Sequence, residues 1–142
     1  MVKMSMVVRK SSKIISPFIF TYGAYLIMYG HVSPGGGFQG GVILAVGIVL
    51  LLTSHGYRLV RRSSFREKLF KVIESTAVLG VVLLGISGII FNTFFYNYLK
   101  GGTPATIFSG GTIMFFNILV GIKIGTGFTI LFYVLLRRME RD

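Results

Sequence analysis

Gly30-His-Val-Ser-Pro-Gly-Gly-Gly-Phe-Gln-Gly-Gly41 places six glycines, a proline and a histidine in twelve residues, with an apolar run on either side. Its reading decides the fold. Gly35-x-Gly37-x-x-Gly40 has the letters of a dinucleotide-binding turn, which would make the chain an α/β oxidoreductase. Such a turn must follow a buried strand, open a helix, and be answered about 20 residues later by an acidic side chain on the ribose. The acidic residues are Glu67, Glu74, Glu140 and Asp142, and the position where one is needed falls in a basic stretch. No Gly-Lys-Ser/Thr follows the glycines, so a phosphate-binding P-loop fails as well.

The flanks point elsewhere. Of 142 residues 53% are hydrophobic and only 13% charged, with mean hydropathy +0.76; an average soluble domain carries about 25% charged residues. This is the composition of an all-α, multi-pass membrane protein. The net charge of +11 comes in short blocks between apolar runs, a topology signal and not a nucleic-acid face. With no cysteine, the chain holds no disulfide, thiolate zinc site or cysteine-ligated cluster. No cofactor of its own is expected.

Four apolar segments stand out, Ile14 to Gly30, Gln39 to Thr53, Ala77 to Phe95 and Gly111 to Leu136. At 1.5 Å per residue they reach about 25, 22, 28 and 39 Å, against about 30 Å of hydrocarbon. The second is long enough only if its helix starts at Pro34 with Ser33 as N-cap. Ser64-Phe-Arg-Glu67 has the form of a capping box, which starts the third helix before the bilayer. One transmembrane domain over residues 1–142 is predicted, with helices near 14–30, 34–54, 64–97 and 110–137. Thirteen of the fifteen Lys and Arg precede the first segment, separate the second from the third, or follow the fourth. By the positive-inside rule both termini are cytoplasmic. No cleaved signal peptide is expected, since no small-residue cleavage site follows the first apolar run.

In a bilayer, glycine allows close helix approach, turns with positive φ, and exposed backbone beside an ion. The glycine block is therefore either a tight hairpin packed on other protein or a polar vestibule in which His31 and Gln39 flank open backbone. His31 either relays protons or hydrogen-bonds the last carbonyls of its helix. Lys123 sits near the middle of its span, where a lysine costs about 2.5 to 3.5 kcal/mol on translocon scales. Its setting, Gly121-Ile-Lys-Ile-Gly125-Thr-Gly127, with Asn117 six residues back, predicts burial against another helix, with the ammonium facing a cavity or a carboxylate. Alternatively it pins an inter-subunit contact. Glu74 is placed near the cytoplasmic end of the third helix, whereas Lys123 would lie about 18 Å from that end of the fourth. The counter-charge of Lys123 is accordingly expected on another polypeptide, and Glu74 is either a cytoplasmic mouth residue or solvated at the interface. Nothing resembles a catalytic triad, paired carboxylates or metal-spaced histidines.

Gly30–Gly41 at the end of a first helix, together with Asn117-Ile-Leu-Val-Gly-Ile-Lys-Ile-Gly-Thr-Gly127 in a last one, resembles the MnhB/MrpB family of Mrp-type multisubunit Na+/H+ antiporters over essentially the whole chain. Members of that family also serve as modules of Mrp-derived archaeal membrane-bound hydrogenase and sulfane reductase complexes. The resemblance implies a small component of a hetero-oligomeric assembly in the cell membrane, beside other small hydrophobic subunits and antiporter-like subunits, with Na+ as a transported ion. It implies that His31, Pro34, Gly35, Gly36, Gly37, Phe38, Gln39, Gly40, Gly41, Glu74 and Lys123 belong to an ion path or vestibule. Asn117, Gly121, Gly125 and Gly127 are assigned to helix packing. A purely structural role in the same complex is the alternative, and an independent channel is disfavoured by an uncompensated Lys123.

Overall fold

The computed structural model describes residues 5–55 and 64–139. The described residues form four long helices and no strand: α1 (Met6–Tyr29), α2 (Gly37–His55), α3 (Ser64–Phe91) and α4 (Thr112–Met139), with a 3₁₀ turn at Ile107–Gly110. Three are long and apolar enough to cross a membrane, within Gly37–Ser54, Lys68–Phe91 and Thr112–Arg138. α1 is also long enough, about 36 Å at 1.5 Å per residue. Its apolar character is diluted by Lys13, Pro17, Tyr22, Tyr25 and Tyr29 and by Ser12, Ser16 and Thr21.

In space the helices run α1, α2, α4, α3, so the last helix inserts between the second and third. Gly23 of α1 meets Leu44 and Gly40 of α2, and Phe20 meets Gly47, an antiparallel pairing. α2 and α4 pair at Gly37 with Asn117 and Gly41 with Gly121, a constant offset that makes them parallel. α3 and α4 are antiparallel, with Gly80 against Leu119 and Glu74 against Gly127. The core is small: Leu26, Ile27, Ala45 and Ala77 are its buried apolar side chains, whereas Val82, Leu83, Ile86, Ile89 and Ile90 on α3 lie open. Apolar side chains facing outward are expected of a helix solvated by lipid or by protein partners.

Several boundaries differ from the sequence expectation for identifiable reasons. α1 begins at Met6 because Ser5 caps it, its hydroxyl accepting from the Val8 N–H at 3.3 Å. α2 starts at Gly37 and not at Pro34. Ser33 is not its N-cap but donates its hydroxyl to the Tyr29 carbonyl at 3.1 Å, closing the end of α1. Gly35 and Gly36 follow with φ of +150° and +154°, conformations closed to other residues at low cost. α3 stops at Phe91 rather than at residue 97. The segment after it doubles back, with the Phe95 N–H on the Gly85 carbonyl at 3.2 Å and the backbone of Thr93–Tyr96 passing over Gly88. Phe91 stacks on Tyr98, and Phe95 packs edge-on against Phe116 of α4. The side chains of the Ser64–Glu67 capping box and the arginines between α2 and α3 lie outside the described residues.

Candidate functional site

The glycine block is filled by the last helix. Gly37 and Gly41 lie one turn apart on α2, facing Asn117 and Gly121, spaced alike on α4, with Gly125 beside Gly41 and Leu44. A Cβ at Gly41 would stand 2.6 Å from the Gly121 carbonyl oxygen, and one at Gly37 would collide with the Asn117 carbonyl. Asn117, 9% exposed, turns its Oδ1 to accept from the Gly37 N–H at 3.4 Å, at the start of α2. From α1, Ile27 closes the third side, against Gly40 and Gly121. Approaches this close leave no open backbone at Gly37, Gly40 and Gly41. Pro34, Phe38 and Gln39 are exposed, and Gln39 Oε1 stands 3.3 Å from where a Gly35 Cβ would be.

His31 is tied to the loop between α3 and α4. Its Nε2 lies 3.0 Å from the Thr106 carbonyl oxygen, which makes it the donor, and its ring packs on Gly110, where a Cβ would stand 2.7 Å from Cγ. Nδ1 is buried without a partner. The expectation that His31 bonds the last carbonyls of its own helix is thus replaced by a bond across 75 residues. Beside it opens a recess of about 580 Å³ with Lys100, Pro104 and Ser109 on its walls. Asn97 fastens the other end of the loop. Its Oδ1 accepts from the N–H and the hydroxyl of Thr112, both at 2.8 Å, and its Nδ2 donates to the Gly110 carbonyl at 3.2 Å. Asn97 therefore caps α4 from 15 residues away, a role invisible in the sequence because local capping patterns look only three or four residues along.

The charged residues converge differently from the expectation. Leu119 and Gly127 both face α3, and Lys123 falls midway between them on the helix surface. On α3, Ala77 lies between Glu74 and Gly80, so the antiparallel register sets Lys123 opposite Ala77, which is 3% exposed. The Glu74 carboxylate oxygen stands 3.1 Å from where a Gly127 Cβ would be. Glu74 is thus about one helical turn from Lys123 along the axis, about 6 Å, so the two lie close enough to meet without a deep offset between the helices. The expectation set Glu74 at the end of its helix, whereas it lies ten residues, about 15 Å, inside α3, which runs beside α4 over nearly the whole length of both. Both residues are half-buried, and no ion pair within 4 Å joins them. Among the described residues no three His, Asp or Glu gather as a metal site would need.

Residues 7–130 match the family described as a domain related to the MnhB subunit of Na+/H+ antiporter. A Na+/H+ antiporter subunit of Bacillus subtilis is 32% identical over 96 residues, 68% of this chain and 66% of that one. An uncharacterized protein of Methanocaldococcus jannaschii is 31% identical over 120 residues, covering 80% of this chain and 45% of the relative. Among solved structures, a chain of the membrane-bound sulfane sulfur reductase, an archaeal respiratory membrane complex, superposes with a TM-score of 0.75. It shares 30% identity over 94% of this chain and 59% of its own length. This chain therefore spans between about half and two thirds of the relatives it matches. The extent of the family match, the sequence identity and the shared helical architecture agree: the chain belongs to the MnhB-related family of Na+/H+ antiporter domains.

Proposed function

We propose that this chain forms part of the cation path of an Mrp-type Na+/H+ antiporter module in the cell membrane, with Na+ among the ions carried. All four helices cross the bilayer in this reading, with both termini cytoplasmic. α1 is admitted despite its serines because Ser12 and Ser16 are buried, their hydroxyls bonded to the preceding turn at 2.8 and 2.6 Å. Its partners are the other small hydrophobic subunits and the antiporter-like subunits of one hetero-oligomeric complex, which is either a dedicated antiporter or the ion-translocating part of a respiratory enzyme. The Bacillus relative supports the first setting and the archaeal respiratory complex the second.

The observation that carries the reading is Lys123, a half-buried lysine in the middle of a span, midway between Leu119 and Gly127, which both meet α3. A charge there is costly and is kept where ions or protons move. The closed packing of Gly37, Gly40 and Gly41 shifts the path away from the glycine block toward that seam and the recess beside His31. The test is Lys123→Met in the complete complex, with Na+/H+ exchange measured per assembled complex. A loss of about tenfold, some 1.4 kcal/mol, supports the path. Exchange per complex that stays unchanged refutes it and leaves a structural role, one the tight α2–α4 seam already favours.

A further inference from the structure

Lys123 needs a compensating negative charge, and the geometry points to Glu74 of this same chain: we propose that the two form one neutral ion pair across the α3–α4 seam, directly or through a bridging water.

Three observations carry it. First, the Glu74 carboxylate is turned toward α4, onto Gly127, although α3 leaves much of its surface open to lipid. Second, Gly127 is four residues beyond Lys123 on the same face, and side chains so spaced are neighbours about 5–6 Å apart at Cβ. A lysine's flexible four-carbon stem is long enough to cover that separation. Third, the residues that frame the space between them are small. Ala77 lies opposite Lys123 and Gly127 beneath the carboxylate, while Gly80, a turn further along α3, takes the Leu119 side chain. The absence of a side chain at Gly127 is what lets the carboxylate approach α4. A Cβ there would stand 3.1 Å from Oε1, closer than ordinary contact.

The charged and titratable groups near this seam are few. On α3 the nearest others are Lys71 and Lys68, both exposed and toward the start of that helix, and α4 carries Arg137 and Arg138 in its last turn. All are cationic. Within the apolar stretches Glu74 is the sole carboxylate among the described residues, so no other group in them can neutralise Lys123. A polar contact longer than 3.5 Å can be bridged by a single water. In this arrangement Lys123 acts as a tethered cation that occupies the carboxylate, and a cation arriving at Glu74 has to displace it.

The pairing rests on reading the seam as part of an ion path, and its test uses stability so that the two fail separately. Glu74→Gln, Lys123→Met and the double variant are made in the complete complex, and the fraction of this chain remaining assembled after heating is measured. Each single variant strands one charge, and each should lower the surviving fraction by about fivefold or more. The double variant strands none, and should return to within about twofold of the parent, a coupling of the size found for residues in contact. A double variant as unstable as the sum of the singles, or singles with no effect, overturns the pair. Na+/H+ exchange on the same preparations reports on the path by itself: a stability cycle that shows pairing while exchange per complex is unaffected retains the ion pair and discards the path.

Discussion

Gly41→Ala should loosen the contact on which the arrangement of three helices depends. The new methyl would meet the Gly121 carbonyl oxygen at 2.6 Å, Ile124 Cβ at 3.0 Å and Gly121 Cα at 3.2 Å. Favourable separations are about 3.5–4.0 Å, so α2 and α4 must part by about 1 Å, and a gap of that size forfeits a quarter to a half of the dispersion energy along the seam. Backbone on both sides leaves no side chain able to swing away. Overpacking of this kind costs about 1–3 kcal/mol, while replacing glycine by alanine inside a helix returns about 1 kcal/mol. The net is about 1 kcal/mol of destabilisation, roughly fivefold in the ratio of folded to unfolded chain. Two other glycines calibrate the expectation. At Gly125 the nearest atom to a Cβ is the Gly41 carbonyl oxygen at 3.3 Å, and at Gly101 it is the Leu99 carbonyl oxygen at 4.0 Å. Heat inactivation of the three alanine variants, followed as loss of assembled chain in native membranes, should rank Gly41 as most affected, Gly125 as mild and Gly101 as silent. Gly41→Ala as stable as the parent, or Gly125→Ala less stable than Gly41→Ala, would refute the account of the seam.

Asn117→Ala leaves the buried Gly37 N–H without its acceptor, which should cost about 1–3 kcal/mol and appear as faster amide exchange at the start of α2; unchanged exchange at Gly37–Gly41 would argue against that bond. Asn97→Ala removes both acceptor bonds at the start of α4, worth about 1–2 kcal/mol as a cap. Protease cleavage within residues 97–111 should rise, and an equally resistant loop would show that the cap is dispensable. Gly110→Ala would put a methyl 2.7 Å from the His31 ring and should break the bond to Thr106, so it should match His31→Ala in amide exchange over residues 106–109. Different exchange patterns in the two variants would dissociate the ring's packing from its hydrogen bond.

Much of the fold could be read from the chain because it rests on local, additive properties. Apolar run length and low charge content predict helices that bury their own backbone bonds, and the basic stretch where an acidic residue would have to answer the glycines excludes a dinucleotide fold without reference to any partner. The same glycine and lysine patterns carry the resemblance to the antiporter family. What only the tertiary structure decided is which helix meets which, and at what height. Glycine reports that something comes close without saying what. That Asn117, 80 residues away, occupies the space beside Gly37 depends on α4 inserting between α2 and α3. The C-terminal end of α3 and the cap on α4 were set by Phe95 and Asn97 folding back, contacts made across a loop. The distance between Glu74 and Lys123 is the clearest case. Counting residues measures position along each helix, but which helices are neighbours and which faces meet across the seam is fixed only where Gly80 receives Leu119 and Gly127 receives Glu74.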